Sequence, residues 1–391
     1  MAREIIISIY LLFFKILFNV FKLFPLRKKT TFILSFVDNG WHVYNQLLKE
    51  GYSGEIVFLE SRKLNLNNIV TNNEKVYRFE TYHIFDTFFS IYHIATSTHI
   101  IIDNYYGFLS EVEFKEEATC IQVWHAAGAI KKFGLKDPSI KGRSENAKRR
   151  FRNVYEKFDH VVVGTDKMAE IYYSAFGVDE KKILKTGIPR TDYFYNEIAE
   201  TEVKRKLYND YPQLMNKKVI LYAPTYREKD LSHFNLKIDL ENMLSNLADD
   251  YILILKLHPE IENNNKIPEQ LGKKVLDLSG EYKVNDLLFI TDYLITDYSS
   301  IPFEFSLFEK PMIFYAHDLD AYEKERGFWQ VYESFVPGPI VKDTDGIINA
   351  IKRNDFDIMQ IKAFKNVWNE YSLGESSLNL IRKIYNKNDF Y

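Results

Sequence analysis

Two short segments carry residues suited to chemistry. Ile295-Thr296-Asp297-Tyr298-Ser299-Ser300-Ile301-Pro302-Phe303-Glu304 runs from an apolar strand into a helix start. Leu255-Lys256-Leu257-His258-Pro259 runs from another strand into a polar turn. Pro302 fits a first helical turn, because its missing N–H has no helical partner there. Such a start offers free N–H groups, two hydroxyls and the positive end of a dipole, which together cradle phosphate. His258 would reach the same sheet edge, where ligands of open α/β sheets bind. Taken singly, the serines read as a helix N-cap and the histidine as a structural strand end. Their company carries the functional reading.

A third segment, Gln122-Val123-Trp124-His125-Ala126-Ala127-Gly128, ends a strand in a histidine followed by small residues. Small residues let a ligand approach the backbone closely. With an ordinary pKa of about 6.5, His125 suits deprotonation of a hydroxyl. Nine basic residues follow between Lys131 and Arg152, among them Lys132, Arg149 and Arg150, against only Asp137 and Glu145. Such a run is ordinarily a solvated face. Beside an apolar N-terminus it suits anionic lipid or a lipid-linked pyrophosphate. RNA is the weaker reading, because the whole chain carries a net charge of −3.

Apolar runs alternating with helical patterns must position these residues. Strands are expected at 31–37, 55–59, 99–103, 119–124 and 160–164. A second series is expected at 218–223, 251–257, 274–278, 293–296 and 311–315. Helices are expected at 41–50, 84–95, 145–158, 165–176 and 376–385. The alternation predicts parallel sheets with crossover helices. The expected fold is α/β, two doubly wound Rossmann-like domains facing a cleft. Polar residues 209–216, with Pro212, mark the boundary between a domain at 30–208 and one at 209–374. Residues 375–391 form a last helix that can pack back on the first domain. The dinucleotide fingerprint, the P-loop motif and metal-ligand spacings are absent from the sequence. A cleft, a phosphate-reading helix and no dinucleotide motif suggest a nucleotide-activated group transferase.

At 391 residues with 46% apolar composition, the chain can build two full cores. Its single cysteine, Cys120, excludes a disulfide framework. Residues 5–24 are strongly apolar, but Glu4, Ser8, Lys15, Asn19 and Lys22 form one polar helical stripe. Residues 1–29 therefore read as an interfacial membrane helix, with Arg27, Lys28 and Lys29 at anionic headgroups. A single span and a helix packed on the protein are the rival readings.

Further motifs complete a pattern: Val162-Val163-Gly164-Thr165, Thr186-Gly187-Ile188-Pro189-Arg190-Thr191-Asp192, Tyr222-Ala223-Pro224-Thr225-Tyr226-Arg227 and Lys324-Glu325-Arg326-Gly327. In this order, with the segments above, the chain resembles the CDP-glycerol:glycerophosphate glycerophosphotransferases of wall teichoic acid synthesis, from about Thr31 onward. The Trp124-His125-Ala126-Ala127-Gly128 form is similar to the glycerol-phosphate primases of that family rather than to its polymerases.

The resemblance implies a glycosyltransferase type B fold and transfer of glycerol phosphate from CDP-glycerol, with release of CMP. The implied acceptor is an undecaprenyl-pyrophosphate-linked N-acetylmannosaminyl-N-acetylglucosamine at the cytoplasmic face of the membrane. It makes His125 the base, with Asp103 as candidate orienter. Arg227, His258, Ser299, Ser300 and Arg326 would hold the donor pyrophosphate, and Glu304 the ribose. Lys131, Lys132, Arg149 and Arg150 would face acceptor or membrane. No cofactor and no nucleic acid are implied, divalent-metal dependence is left open, and other teichoic acid enzymes are candidate partners. The alternatives are a polymerase of the same family, a UDP-sugar glycosyltransferase or epimerase of the same fold, and a membrane scaffold without activity.

Overall fold

The computed structural model describes every residue except 1, 62–63, 65, 67–69, 71–73, 82, 228–235, 259–260, 262–266 and 391. The chain forms two compact units. Unit 1 takes Met1–Ala127, Phe133–Asp192 and Glu370–Tyr391; unit 2 takes Gly128–Lys132 and Tyr193–Asn369.

Unit 1 is built on seven strands in the order β3-β2-β1-β4-β5-β6-β7. These are β1 (Arg27–Leu34), β2 (Glu55–Glu60), β3 (Lys75–Arg78), β4 (Ser97–Ile102), β5 (Thr119–Gln122), β6 (His160–Val163) and β7 (Ile183–Lys185). Neighbours pair in parallel, for example Phe32 with Phe58 on one side and Ile101 on the other. From Thr30 to Leu34 every residue of β1 is buried. Helices covering both faces of a parallel sheet require such continuous burial.

Unit 2 repeats the plan with six strands in the order β10-β9-β8-β11-β12-β13. They are β8 (Lys218–Tyr222), β9 (Tyr251–Leu255), β10 (Val275–Asp277), β11 (Tyr293–Thr296), β12 (Met312–Tyr315) and β13 (Ile340–Val341). In both units the strand order reverses beside the first strand: between β1 and β4, and between β8 and β11. Ligands bind at such reversals, outside the carboxyl ends of the strands.

β3, β7 and β13 were not expected from the sequence. All three are sheet edges of two to four residues, and none is fully buried. Half-solvated edges lack the apolar run that marks an interior strand.

The expected boundary at 209 falls instead at Tyr193. Helix Glu197–Asp210 goes with unit 2, where Tyr282 donates its hydroxyl to Asp210 at 2.5 Å and Lys206 lies 5.1 Å from the same ring. The Pro-containing stretch at 209–216 takes in the end of that helix and a single 3-10 turn, Pro212–Leu214, leading into β8. The later boundary falls at Glu370 rather than 375. Helix Ser376–Ile384 lies in unit 1, its first N–H groups capped by Asp192, which accepts from Ser376 and Ser377 at 2.8 Å.

Helix α1 spans Ala2–Phe21. Leu11, Phe14, Phe18 and Phe21 recur at three- and four-residue spacing and are buried in unit 1. Phe14 stacks on Phe108 at 4.6 Å, and Phe21 meets Phe88 edge-on at 4.7 Å. The opposite arc, Ile5, Ile9, Leu12, Ile16 and Val20, is 49–64% exposed. The polar stripe lies between these faces. Two of its members pair with the body of unit 1: Lys15 with Glu111 at 3.1 Å and Glu4 with Arg150 at 3.4 Å. Arg27, Lys28 and Lys29, expected at headgroups, are the first residues of β1. Lys29 is fully buried, donating to Thr96 at 2.6 Å. Burial pushes its pKa down to about 8.

Candidate active site

In unit 1 the site grows from the ends of β1, β4 and β5. Beyond β5 the chain turns sharply. Trp124 adopts φ 54°, a left-handed conformation costly for so large a residue. Three bonds hold the turn. Gln122 Oε1 accepts from the Trp124 N–H at 2.8 Å. Asn39 Nδ2 donates to the Val123 and Trp124 carbonyls at 3.1 and 2.9 Å. Strain held this firmly is a common mark of a functional residue nearby.

The residue that follows the turn is His125. Its ring is stacked between Phe36 and Trp124, each at 4.2 Å. Its Nδ1 lies 2.9 Å from the backbone carbonyl of Asp103, just past β4. A carbonyl only accepts, so Nδ1 carries the hydrogen and Nε2 keeps a free lone pair, the tautomer a base needs. The pKa departs from the ordinary value assumed above. Burial lowers it to about 4; the Asp103 hydrogen bond opposes this and the Arg190 charge adds to it. The imidazole is therefore uncharged at neutral pH.

Asp103 meets His125 through its carbonyl and not through its carboxylate. The carboxylate accepts from the N–H groups of Ser35 and Phe36 at 2.7–3.0 Å and from the Tyr106 hydroxyl at 2.8 Å. It ties β1 to β4 at the strand reversal. Burial raises its pKa to about 7.

Two residues given no role from sequence complete this wall. Arg190 donates to the His125 carbonyl at 2.9 Å, and its own N–H is held by Asn39 Oδ1 at 3.0 Å. Arg190 stood inside a quoted motif, so the motif was the available signal. Asn39 had none, since a lone Asn near a helix start reads as a cap.

In unit 2 the expected donor residues lie beyond the ends of β8, β9 and β11, with Arg326 closing the helix Leu319–Arg326. Helix Ile301–Phe305 begins after Ser300, with Pro302 in its first turn, as the sequence suggested. Ser299 Oγ accepts from the Ile301 N–H at 3.2 Å, so one N–H of the cradle is already engaged. Glu304 is 2% exposed. His258 is exposed, its ring 4.4 Å from Tyr226. Pro259 lies outside the described residues.

Arg227 is the centre of a charge knot. Its Nη1 donates to Asp297 at 2.8 Å, and Nε and Nη2 grip Asp318 in a fork at 3.0 and 2.9 Å. Its guanidinium lies 5.0 and 5.4 Å from the rings of Tyr322 and Tyr298. Asp297 also accepts from the N–H groups of Thr225 and Tyr298 at 2.8 and 2.6 Å. Burial would raise the Asp318 carboxyl, but His317 and Arg227 prevail and hold it well below the usual carboxylate range. Thus Arg227 braces the ends of β8 and β11, a role the sequence reading did not foresee.

Lys131 and Lys132 were expected at acceptor or membrane. They lie on the short arm Gly128–Lys132, which groups with unit 2. The arm pairs with the chain beyond Arg326: Lys132 N–H donates to the Gly327 carbonyl at 2.9 Å, and Trp329 N–H to Ile130 at 3.0 Å. Gly128 is required there, because a Cβ would fall 2.5 Å from the Phe303 ring. Burial lowers the Lys131 pKa to about 8; nearby Asp297 opposes this, and Arg326 and Arg227 add to it. Lys131 therefore shares the surroundings of Arg326 and the charge knot. Arg149 is exposed on the helix Glu145–Glu156, and Arg150 is tied to Glu4. Among the described residues, no group of three His, Cys, Asp or Glu side chains could hold a metal ion.

Comparison with known proteins adds a third line. The family described as CDP-glycerol:poly(glycerophosphate) glycerophosphotransferase matches residues 16–386. The chain is 34% identical to the teichoic acid glycerol-phosphate primase of Bacillus subtilis (strain 168), over 98% of both chains. It is 38% identical to the teichoic acid ribitol-phosphate primase of Bacillus spizizenii, over 74% of this chain and 75% of that one. Among solved structures, the wall teichoic acid polymerase TagF superposes with a TM-score of 0.80 at 26% identity, covering 98% of this chain and 96% of that one.

Proposed function

Because this chain belongs to the CDP-glycerol:poly(glycerophosphate) glycerophosphotransferase family, and is a transferase of glycerol phosphate in teichoic acid synthesis, we propose that it acts as a primase. It transfers one glycerol phosphate from CDP-glycerol to a lipid-linked N-acetylmannosaminyl-N-acetylglucosamine. His125 Nε2 takes the proton of the acceptor hydroxyl. That oxygen attacks the glycerol-bearing phosphorus, the bond to the bridging oxygen breaks, and CMP leaves. Phosphoryl transfer of this kind needs positioning and charge neutralisation more than covalent help from the protein. Arg326, Lys131 and the N–H groups at Ser299 and Ser300 supply the positive surroundings. His258 contacts the donor, Glu304 is the candidate for the ribose, and Arg227 fixes the loops that carry the site.

The observation carrying this reading is the 2.9 Å contact of His125 Nδ1 with the Asp103 carbonyl, which takes an Nδ1–H donor and leaves the lone pair at Nε2. The 34% identity to a glycerol-phosphate primase over 98% of both chains supports addition of a single unit. The exposed apolar arc of α1 supports peripheral attachment to the cytoplasmic face of the membrane. Exposed Ile84 and Phe85 at the start of helix Ile84–Thr96, beside partly exposed Phe88 and Phe89, widen that face.

The test is product analysis with labelled CDP-glycerol and the lipid-linked disaccharide. One unit per acceptor is expected; a ladder of units makes the chain a polymerase. The 38% identity to a ribitol-phosphate primase favours CDP-ribitol as a second donor to run in parallel. Turnover with CDP-ribitol alone would move the donor assignment.

A further inference from the structure

Unit 1 holds a cavity of about 1030 Å³ whose lining does not include His125. This is at the upper end of ligand sites, roughly 300–1,000 Å³. One wall is apolar and comes from α1: Ile6, Ile7 and Leu11. The facing wall is Tyr105, its ring tilted against Phe151 at 4.6 Å, with the Arg143 guanidinium 5.2 Å from the Phe151 ring. Arg150 completes it, its side chain 15% exposed.

Two acids, Glu4 and Glu80, also line the cavity and balance the two arginines. The Glu4 contact is loose. Arg150 reaches its Oε2 at 3.4 and 3.5 Å, against about 2.7–2.9 Å for a good charge-assisted bond. Glu4 stands in the first turn of α1 and its side chain is 42% exposed. It can swing into water and release Arg150 to an incoming anion, with Arg143 beside it and Glu80 as the one acid left in the lining.

The mouth defines the rest of the ligand. Ile6 lines the cavity and is also 67% exposed, adjoining the outer apolar arc of Ile5 and Ile9. Hydrocarbon can pass from that arc into the cavity without crossing polar surface. We propose that this cavity binds the diphosphate end and first hydrocarbon units of the lipid-linked acceptor, with Arg143 and Arg150 on the diphosphate in place of Glu4. The proposal rests on the lipid-linked acceptor of the reading above.

The full chain is titrated calorimetrically with geranylgeranyl diphosphate below its micellar concentration. One saturable site is expected. Arg150→Gln should weaken it about tenfold, the size of one charge-assisted contact, and Arg150→Lys less. Glu4→Gln should tighten it about threefold. Lys49→Gln, the same charge change at an exposed position of unit 1 away from the lining, should leave it within about twofold. Inorganic pyrophosphate and geranylgeraniol should each bind at least about tenfold more weakly. The proposal is overturned by equal effects of Arg150→Gln and Lys49→Gln, by pyrophosphate binding as tightly as the lipid, or by saturation only on phosphatidylglycerol vesicles. Transfer of label from CDP-glycerol to the lipid-linked disaccharide by the unaltered enzyme is measured separately. Its failure removes the functional reading, whereas unaltered KM for that acceptor in active Arg150→Gln removes only the cavity.

Discussion

His125 and Arg227 each lie beyond the carboxyl edge of their own sheet, yet they are held in opposite ways. His125 has one neutral hydrogen bond and two aromatic walls. Arg227 has two carboxylates and two tyrosine rings. The difference follows from the charge each must carry. A base must begin uncharged, and apolar walls keep an imidazole so by penalising its cation. A guanidinium stays charged, so it can be buried only with matched acids, and it then serves as a brace. On the proposed reading, the desolvated His125 serves the chemistry and the saturated charge cluster around Arg227 serves the architecture.

The comparison breaks first at His125→Ala. Loss of about 10²–10⁴ in rate is expected for a general base, with CDP-glycerol affinity unchanged by calorimetry. Near-normal turnover would sink the assignment. Arg227→Met should instead act through stability. Asp297, 3% exposed, would lose its ion pair. Breaking a buried pair on one side costs about 3–5 kcal/mol, read as a lower urea midpoint. If Arg227→Met leaves that midpoint unchanged and abolishes donor binding, Arg227 is a ligand residue and the contrast fails.

Acid sharpens the same contrast. An ordinary imidazole would lose half its activity near pH 6.5. With its pKa held at about 4, His125 itself should lower kcat/KM only as pH falls toward 4, whereas a step near pH 7 would belong to the buried Asp103 carboxyl. Stability moves earlier. The folded pKa is depressed, so the unfolded chain takes the proton first. The contribution is whole above about pH 6.5 and is lost as pH falls toward 4. Buried His93, also lowered to about 4 by desolvation and the Lys29 charge, acts in the same window. Apart from that Asp103 step, a kcat/KM midpoint near 6.5 would show that His125 is solvated in the working enzyme. The smallest effect is expected at Ser299→Ala. The backbone N–H groups remain, so donor affinity should drop by a few-fold at most.

Much of this was legible in the sequence because buried parallel strands are continuous apolar runs ending abruptly in polar residues. Those ends are where His125, Asp103, Ser299 and His258 were found. The edge strands β3, β7 and β13 were not legible, since half-solvated residues leave no run. Two assignments shifted for want of a third dimension. Arg227 looked like a phosphate ligand because Asp318, 91 residues away, was not visible as its partner. Lys131 looked like part of a basic surface because nothing in its neighbours shows an arm paired into unit 2. The N-terminal helix was read on its polar stripe. Its buried face, Leu11, Phe14, Phe18 and Phe21, needed unit 1 to be recognised.

The place of β1 also sets an order of events. It precedes the other described strands in the chain and lies in the interior of its sheet. Yet its flank is closed by residues 355 to 360 positions later in the chain. Thr30 bonds Tyr385 at 2.9 Å, Lys28 donates to the Asn388 carbonyl at 2.6 Å, and Tyr52 bridges to Phe390. Unit 1 must therefore hold its oldest strand partly uncovered while the chain of unit 2 is synthesised, and the closure of so long a loop carries an entropic cost. Removal of residues 386–391 should speed hydrogen exchange at the amides of β1 and leave those of β8 unchanged. Equal acceleration in both strands would show that the two units close as one.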